Sequence, residues 1–408
     1  MEHLLSPELI EITDAIAVAG GHCFLVGGFV RDALLDIESK DVDIEVFGLS
    51  LEKIQTALPK SAHAEAVGVQ FGVLKIRLHD GQEVDISIPR RDSKVGIGHT
   101  GFLMEFDSSM TTREASQRRD FTFNSIMFDM ETKRFVDHHG GAPDLQMDKI
   151  RHTSNTFAED PLRVLRAFQF AARFNFHVAP ETLELCKSLL PEFETLSKER
   201  IWAEWEKIGR RGTHFRHAFE AIRDSGWDSK FPGLSERSVE RFDNAAAACT
   251  PEGITGERRL VVVLAALVDS IDAWKREEFL GSINAPREIC NQIRRLIVHQ
   301  SMGAKNAEVQ ARQLARQLAP LTIRDATCFG GVSGEVRIAA RLVKVFNGPE
   351  TPFVTGSDII ARGVQPSPIF KPILHRSVEL QDLRLLLTRE EALAWLDTEL
   401  AKPVELKT

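Results

Sequence analysis

The fold is decided by residues 25–47, which read LVGGFVRDALLDIESKDVDIEVF. An apolar run ends at a pair of glycines, and this predicts a strand at about His22–Val26. The glycines turn the chain into a short helix, predicted over Phe29–Leu35. A second strand is predicted at Val42–Phe47. The stretch therefore indicates a strand–turn–helix–strand unit.

Gly27 and Gly28 lie between the first predicted strand and the helix. Glycine lets the backbone approach a triphosphate closely, and a helix N-terminus favours anions. Arg31 follows one turn into the helix, within reach of a phosphate or a ribose. The alternative interpretation is an ordinary strand–helix turn, which a glycine pair alone does not exclude.

Asp41 and Asp43 open the second strand. Side chains alternate along a strand, so both carboxylates project from one face while Val42 and Ile44 enter the core. Two carboxylates about 7 Å apart along a strand can share Mg²⁺ ions, which prefer oxygen ligands and substrate phosphates. Two such ions can drive in-line phosphoryl transfer. The alternative is an Asp-x-Asp that simply faces water at a strand end.

Further strands are predicted at Gly72–Leu78 and Gln82–Ile88, joined by a hairpin turn at residues 80 and 81. Asp85 on the second of these strands is a candidate third carboxylate, or equally a solvent-facing strand residue. The polar stretch at about residues 89–116 is predicted to be a long loop, and loops of that length are usually functional or mobile.

The composition narrows the class of protein. Hydrophobic residues make up 43% and charged residues 27%, which is typical of a soluble folded chain and not of a disordered one. The longest apolar run, Leu260–Val268, is less than half a bilayer span, so we expect no membrane helix. The five cysteines are scattered without a Cys-x-x-Cys pair, which indicates reduced thiols in a cytoplasmic protein. A net charge of −8 still allows a local basic groove for nucleic acid.

The organisation changes along the chain. After about residue 156 the apolar residues recur at helical spacing and strand patterns almost vanish. A chain of 408 residues is also too long for one ordinary core. We therefore predict an α+β protein with a mixed head followed by a mostly helical remainder.

Four motifs stand in order along the first half of the chain. They are LVGGxVRDxLL-x5-DxD at residues 25–43, RRDFTxN at 118–124, Dx3Gx2DLx4IR at 137–151 and EDPLRxLR at 159–166. Together they resemble the head of tRNA nucleotidyltransferases (CCA-adding enzymes) and of their relatives, the bacterial poly(A) polymerases. Both groups belong to the DNA polymerase beta superfamily. The resemblance covers about residues 22–175, and the C-terminal half matches weakly.

The resemblance implies a polymerase-beta-like nucleotidyltransferase head with a small mixed sheet, followed by an all-α neck, body and tail. It implies that Asp41 and Asp43 hold the catalytic Mg²⁺ ions. It also implies that the other motif positions bind the nucleotide, namely Gly27, Gly28, Arg31, Arg119, Asp120, Asn124, Asp160, Arg163 and Arg166. Without the resemblance, the charges at 118–120 are typical of a solvated helix start.

The segment at 159–166 predicts a helix with Asp160 as N-cap and Pro161 at its first position. Arg163 then lies in the first turn, free on a face away from the buried stripe, or in a local ion pair with Asp160. In the family, these two positions read the incoming base without a template. Adenine and cytosine both offer an amine beside a ring-nitrogen acceptor, so a carboxylate and a guanidinium can select ATP and CTP together.

The resemblance thus predicts an enzyme that adds CCA to the 3′ end of tRNA from CTP and ATP and releases pyrophosphate. The alternatives are a poly(A) polymerase, an enzyme that adds only CC or only A, and an RNA-binding protein that has lost catalysis. Gln169 motivates the last of these, because relatives usually carry an arginine there that contacts the nucleotide. Ser125 also replaces the usual alanine.

Three domains are expected from the resemblance. Residues 1–155 form the catalytic head, residues 156–270 a helical neck and body with base recognition at its start, and residues 271–408 an RNA-binding helical tail. The basic clusters at Lys207–Arg216 and Arg287–Arg295 either contact tRNA phosphates or are solvated helix faces.

Overall fold

The structure, a computed structural model, describes residues 5–39, 41–59, 64–65, 72–79, 81–94, 102–298 and 306–402. The chain divides into two compact units. The first is Met1–Val239 with Gly281–Asn284, and the second is Glu240–Leu280 with Ala285–Thr408. The three predicted functional domains remain a proposal.

The first unit contains all the strands that the structure describes. In chain order they are β1 (His22–Val26), β2 (Asp41–Phe47), β3 (Ala64–Glu65), β4 (Val73–Arg77), β5 (Glu83–Ser87), β6 (Arg90–Lys94), β7 (Phe102–Phe106), β8 (Met127–Asp129), β9 (Phe135–Val136), β10 (Lys149–Ile150) and β11 (His177–Val178). Its α-helices are α1 (Pro7–Val18), α2 (Gly27–Leu34), α3 (Leu51–Ala57), α4 (Thr112–Gln117), α5 (Gly141–Gln146), α6 (Leu162–Phe174), α7 (Pro180–Ser188), α8 (Lys198–Arg211) and α9 (Arg216–Asp224).

Seven strands form one mixed sheet in the order β3-β4-β5-β2-β1-β8-β9. β2 runs parallel to β5 and antiparallel to β1. The small mixed sheet is therefore confirmed, with β2 between two other strands. Val42 and Ile44 of β2 are buried, and this anchors the strand that carries the predicted carboxylates.

The predicted strands agree with the structure to within a residue or two. β1 has the predicted bounds, and β2 begins one residue earlier than predicted. β4 and β5 form the predicted antiparallel pair, in which Gly81 has a left-handed φ of +86°. Residue 80 of the predicted turn lies outside the described residues. Helix α2 begins at Gly27, two residues before its predicted start.

The predicted loop at residues 89–116 is wrong. β6 and β7 pair antiparallel with Arg90 opposite Phe106, and α4 begins at Thr112. This two-stranded sheet stands outside the seven-stranded one. Its order comes from backbone hydrogen bonds between the strands, which require no apolar alternation in the sequence. Residues 95–101 of the predicted loop lie outside the described residues.

Helices are the only regular secondary structure that the structure describes in the second unit. Its helices are α10 (Glu236–Cys249), which begins in the first unit, α11 (Gly256–Asp269), α12 (Ala273–Ser282), α13 (Arg287–Val298), α14 (Ala307–Leu318), α15 (Ile323–Phe329), α16 (Gly334–Leu342), α17 (Gly356–Ile360), α18 (Phe370–Asp382) and α19 (Arg389–Leu400). The apolar run 260–268 is buried within α11. Among the described helices none is long and apolar enough to cross a membrane. All five cysteines are buried free thiols.

Candidate active site

Strand β2 carries acidic side chains at alternate positions. Asp41 is exposed and Asp43 is half-buried, whereas Val42 and Ile44 are buried. Both aspartates therefore project from one face of the sheet, as strand alternation predicts. Glu45 shares that face and is fully buried. The face thus runs from an exposed carboxylate to a buried one.

The glycine turn reaches the same point. Val26 is the β1 partner of Asp43, and Gly27 comes next in the chain. Gly27 has a φ of +68°, which a side chain disfavours. A Cβ atom there would also lie 3.1 Å from Oδ2 of Asp43 and 3.2 Å from Nη1 of Arg119. The turn, one carboxylate and one guanidinium therefore lie close together, and a side chain at Gly27 would require its neighbours to shift.

A third carboxylate lies on the neighbouring strand. The parallel register puts Asp85 opposite Asp43, and the next register puts Lys75 opposite Asp85. The Lys75 ammonium donates to both oxygens of Asp85, at 2.8 and 2.7 Å. A role for Asp85 as a metal ligand stays a prediction, because in this structure its carboxylate is bound by a lysine.

The environment of Asp43 favours a bound cation. Burial raises the pKa of Asp43 above its ordinary value of 3.8. The charges of Asp85 and Asp41 add to this rise, while Arg119 opposes it. An acid whose charge is unfavourable by itself is stabilised by a nearby cation.

The donor set is suited to Mg²⁺. Within the described part of the chain, no group of three or more His, Cys, Asp or Glu side chains is arranged to hold a metal ion. Mg²⁺ is usually bound through one or two carboxylates, with substrate phosphates and water as its remaining ligands. The Asp41–Asp43 pair on the face of β2 fits that pattern.

A chain of hydrogen bonds joins α2 to α6. Arg31 donates from Nη1 to Oδ1 of Asn124 at 2.7 Å. Asn124 donates from Nδ2 to Oδ1 of Asp120 at 2.9 Å. The other oxygen of Asp120 accepts from Nε of Arg166 at 2.7 Å. Predicted nucleotide contacts from three separate motifs thus form one connected network.

Arg31 is occupied by protein partners. Its side chain is buried, and Nε donates to Oδ1 of Asp32 at 2.8 Å. Its guanidinium lies 5.0 Å from the ring centroid of Phe170 and 5.1 Å from that of Phe174. In this structure Arg31 therefore orders its neighbours, and its contact with a triphosphate stays a prediction.

The charge of Asp120 is fixed by its partners. Burial by itself would raise the pKa of Asp120, but the positive charge of Arg166 and the hydrogen bond from Asn124 lower it below the ordinary 3.8. Asp120 in turn raises the pKa of Arg166. The pair is therefore ionised at neutral pH, with Nη2 of Arg166 at 2.6 Å from Oδ2 of Asp120.

The predicted start of α6 is wrong by one residue, because the helix begins at Leu162 with Pro161, and not Asp160, as its N-cap. Oδ1 of Asp160 accepts from the backbone N–H of Leu162 at 3.1 Å. Its Oδ2 accepts from Nη2 of Arg200 on α8 at 2.6 Å. Asp160 thus pairs with Arg200 and not, as one interpretation of the sequence had it, with Arg163.

The prediction of a free Arg163 is wrong. Nη1 of Arg163 donates to the carbonyl of Thr156 at 2.6 Å, and Nη2 donates to the carbonyl of Arg118 at 2.7 Å. Burial lowers the pKa of Arg163, although the nearby Asp120 and Asp160 oppose the shift. Two carbonyls therefore fix the guanidinium plane. Because guanidinium has five N–H donors, it retains donors for a further acceptor.

The third motif, at residues 137–151, orders the backbone next to Asn124. Oδ1 of Asp137 accepts from the N–H of Gly141, and its Oδ2 accepts from that of Ala142, both at 2.9 Å. A Cβ atom at Gly141 would lie 2.2 Å from the carbonyl oxygen of Thr122. Thr122 also donates to Asp144 at 2.7 Å. The motif thus fixes α5 against the short 3-10 helix that contains Asn124.

Sequence reasoning missed two residues that contact the predicted site. Glu45 pairs with Arg118 at 3.0 Å and with Arg119 at 3.6 Å. The signal for Glu45 was available, since it stands two residues after Asp43 and therefore on the same strand face. Arg200 gave no such signal, because it lies 40 residues away from Asp160.

The two departures from the family pattern are both buried. Gln169 lies on α6 with 3% of its surface exposed. The hydroxyl of Ser125 donates to the carbonyl of Thr122 at 2.6 Å, so this serine is accommodated by the backbone. The effect of Gln169 on activity stays a prediction.

The predicted basic clusters carry acidic partners. Lys207 pairs with Glu204 at 2.7 Å and Arg210 with Glu206 at 2.8 Å, both along α8. Arg294 pairs with Glu277 at 2.5 Å in the second unit. These pairs favour solvated helix faces, and contact with RNA phosphates stays a prediction.

Comparison with known proteins assigns the two parts of the first unit. Residues 23–151 match the family described as the poly A polymerase head domain. Residues 175–237 match the family described as the probable RNA and SrmB-binding site of polymerase A.

Named relatives match part of the chain. It is 41% identical over 187 residues to a CCA-adding enzyme of Blochmanniella pennsylvanica, covering 45% of this chain and 44% of that protein. It is 39% identical over 189 residues to a multifunctional CCA protein of Haemophilus ducreyi, covering 45% and 44%. With a CCA-adding enzyme of Actinobacillus succinogenes it shares 36% identity over 230 residues, covering 55% of each. The chain thus spans about half the length of the curated relatives it matches.

Solved structures resemble nearly the whole chain. The Bacillus stearothermophilus CCA-adding enzyme in complex with CTP superposes with a TM-score of 0.71 at 22% identity, covering 97% of this chain and 98% of that one. The Thermotoga maritima CCA-adding enzyme complexed with tRNA gives 0.61 at 21% identity, covering 98% and 97%. At this identity the likeness establishes the fold.

A mixed sheet that presents paired carboxylates to a glycine turn, followed by a helical remainder, defines a polymerase-beta-like nucleotidyltransferase fold. Within that class the relatives are more specific. Residues 23–151 and 175–237 are similar to the head and RNA-binding families of polymerase A, and the named relatives are CCA-adding enzymes and multifunctional CCA proteins.

Proposed function

We propose that this protein is a template-independent RNA nucleotidyltransferase that adds CCA to the 3′ end of tRNA from CTP and ATP, with release of pyrophosphate. One observation carries the proposal. Oδ2 of Asp43 and Nη1 of Arg119 lie 3.1 and 3.2 Å from the position that a Cβ atom of Gly27 would occupy, where a triphosphate and a metal ion would meet. The named relatives are CCA-adding and multifunctional CCA proteins.

Asp41 and Asp43 would hold Mg²⁺. Bound there, Mg²⁺ would neutralise the negative charge of the triphosphate during transfer. The protein chain itself positions the triphosphate and provides positive electrostatic potential around it. The backbone amides at the start of α2 would attract the negative charge of a triphosphate, since they carry the positive end of the helix dipole. Arg119 adds a full positive charge at the same point, and this favours the departing pyrophosphate.

The base is selected at the start of α6. Arg163 is fixed by two carbonyls, so little rotamer freedom is lost when it donates to a ring nitrogen. Asp160 is fixed by Arg200 and by its own helix, and its oxygens retain lone pairs for an exocyclic amine. Guanine and uracil present the reverse pattern of donors and acceptors, so they would leave both groups unpaired.

The RNA partner is the 3′ end of a tRNA, for which the helical second unit offers a binding tail. A solved relative has been captured with tRNA, and another with CTP. A cytoplasmic enzyme is consistent with five reduced thiols and with the absence of a membrane-crossing helix among the described residues.

The test is incorporation of labelled CTP and ATP into three tRNA substrates. These end before CCA, after C and after CC, and a generic RNA serves for comparison. CCA addition predicts CTP incorporation on the first two substrates and ATP incorporation on the third. Incorporation of ATP alone on generic RNA would instead identify a poly(A) polymerase, and activity on only some tRNA ends a partial enzyme.

The rival from another class is an RNA-binding protein without catalysis, for which buried Gln169 is the motivating feature. It predicts no incorporation from any triphosphate, with Mg²⁺ and with every RNA, together with retained tRNA binding. Replacement of Gln169 by arginine would then be the next measurement.

A further inference from the structure

Glu45 is the least accessible acid on the face of β2, with 0% of its surface exposed. A carboxylate at this depth requires compensating charge. Nη2 of Arg118 donates to Oε1 at 3.0 Å. Nη2 of Arg119 stands 3.6 Å from Oε2, which has no hydrogen-bond partner among the described residues. Glu45 therefore holds Arg119 mainly by charge.

Arg119 lies between two acids. One end of its guanidinium faces Glu45, and the other end, Nη1, lies beside Gly27 and Asp43. Without the charge of Glu45, the guanidinium would be drawn to Asp43.

We propose that Glu45 is a positioning residue that holds Arg119 at the glycine turn and prevents a direct ion pair between its guanidinium and Asp43, so that the carboxylate pair stays open to a divalent cation. A guanidinium bonded to Asp43 and a metal ion on the same oxygens exclude each other. The catalytic importance of this role rests on the proposed function. The quantity that it predicts is the affinity of Asp41 and Asp43 for a divalent cation.

The test is cation binding by the full chain without nucleotide or RNA. Mn²⁺ serves as the probe, because it shares the oxygen ligands of Mg²⁺ and its electron paramagnetic resonance signal reports free ion. Glu45→Gln keeps the shape of the side chain and removes its charge. An opposite charge close to a carboxylate lowers its affinity for a proton by about tenfold or more. We expect a comparable effect on a divalent cation, so Mn²⁺ binding should weaken by about tenfold.

A second variant isolates the cause. In Glu45→Gln combined with Arg119→Gln the competing guanidinium is gone, so Mn²⁺ affinity should return to within about twofold of Arg119→Gln alone. A merely structural role for Glu45 predicts instead that the loss persists in the double variant. Glu45→Asp keeps the charge and should bind Mn²⁺ more tightly than Glu45→Gln.

The matched control is Asp129→Asn. Asp129 is also a buried carboxylate of the first unit with a nitrogen partner, Nε2 of His22 at 3.0 Å. It should leave Mn²⁺ affinity unchanged. If Glu45→Gln does not fold, the comparison of Glu45→Asp with Glu45→Asp combined with Arg119→Gln replaces it, with the same expected recovery.

The proposal is overturned if the charge-removing variant binds Mn²⁺ as the wild type does, or if removal of Arg119 restores nothing. A wild type that binds no Mn²⁺ overturns it as well. Because binding is measured without transfer, a wild type that binds Mn²⁺ yet incorporates no nucleotide contradicts only the proposed function.

Discussion

Nη1 of Arg31 donates a 2.7 Å hydrogen bond to the side-chain oxygen of Asn124, 93 residues further along the chain. The two residues belong to different motifs, and the family resemblance gives each its own contact with the nucleotide. Here they are one unit, because Asn124 passes the connection on to Asp120. Networks of this kind are rigid when every member has a partner. The nucleotide would therefore meet a surface whose shape is set before it binds.

Arg31→Met is expected to destabilise the first unit by about 3 kcal/mol, because it removes one partner from a buried, hydrogen-bonded charge network. Urea unfolding followed by tryptophan fluorescence measures the change. Arg223→Met is the control, since the Arg223–Asp224 pair is exposed and should contribute nothing measurable. A variant that loses triphosphate binding while its unfolding curve stays that of the wild type would show instead that Arg31 contacts the nucleotide directly.

Asp41→Asn and Asp43→Asn are each expected to reduce nucleotide incorporation by about a thousandfold or more, because amide oxygens carry no net charge for the metal ions. The rate of single-nucleotide addition to tRNA lacking its terminal adenosine measures this. Asp228→Asn, an exposed aspartate of the same unit, should keep the wild-type rate. Equal rates in all three variants would exclude the carboxylate pair from catalysis.

Asp43→Asn is expected to raise thermal stability at pH 7 when divalent ions are chelated. The pKa of Asp43 is raised in the folded chain, so the folded state holds this proton more tightly than the unfolded state does. The free energy of unfolding of the wild type therefore falls as the pH rises from about 3.8 through the raised pKa, and the penalty persists above it. The asparagine variant escapes this penalty.

Added Mg²⁺ should make the wild type more stable than Asp43→Asn. The ion binds the folded wild type and stabilises it by mass action, whereas the variant has lost one carboxylate. The measurement is the melting temperature of the wild type and of Asp43→Asn, with chelator and with Mg²⁺, across pH 4 to 8. If Asp43→Asn were less stable than the wild type in chelator, ionised Asp43 would not destabilise the folded state.

Arg163→Ala is expected to lower the preference for ATP and CTP over GTP and UTP by roughly tenfold to a hundredfold, the range that one bidentate side-chain–base contact supplies. The ratio of kcat/KM values among the four triphosphates measures it. Arg210→Lys, a charge-conserving change in a half-buried ion pair along α8, is the control. Unchanged ratios in Arg163→Ala would place base selection elsewhere.

The parts of the fold that sequence could predict are those set by neighbouring residues. Alternation along β2 follows from the pleat, so the shared face of Asp41 and Asp43 was readable directly. The two strands at residues 90–106 were missed for the opposite reason. They are ordered by hydrogen bonds to each other outside the main sheet, and Arg90–Lys94 has no apolar pattern. The apolar residues at 102–104 and 106 were a signal that the loop prediction overlooked.

By itself, then, the sequence determined which chemical groups are present and in what local order: a glycine turn, two acids on one strand, and an Asp–Arg pair at a helix start. Tertiary structure alone decided what each group contacts. Asp160 meets Arg200, and Glu45 meets Arg118 and Arg119. Such pairs join segments 40 to 74 residues apart. No local periodicity encodes them, because they follow from how whole strands and helices pack around a common core.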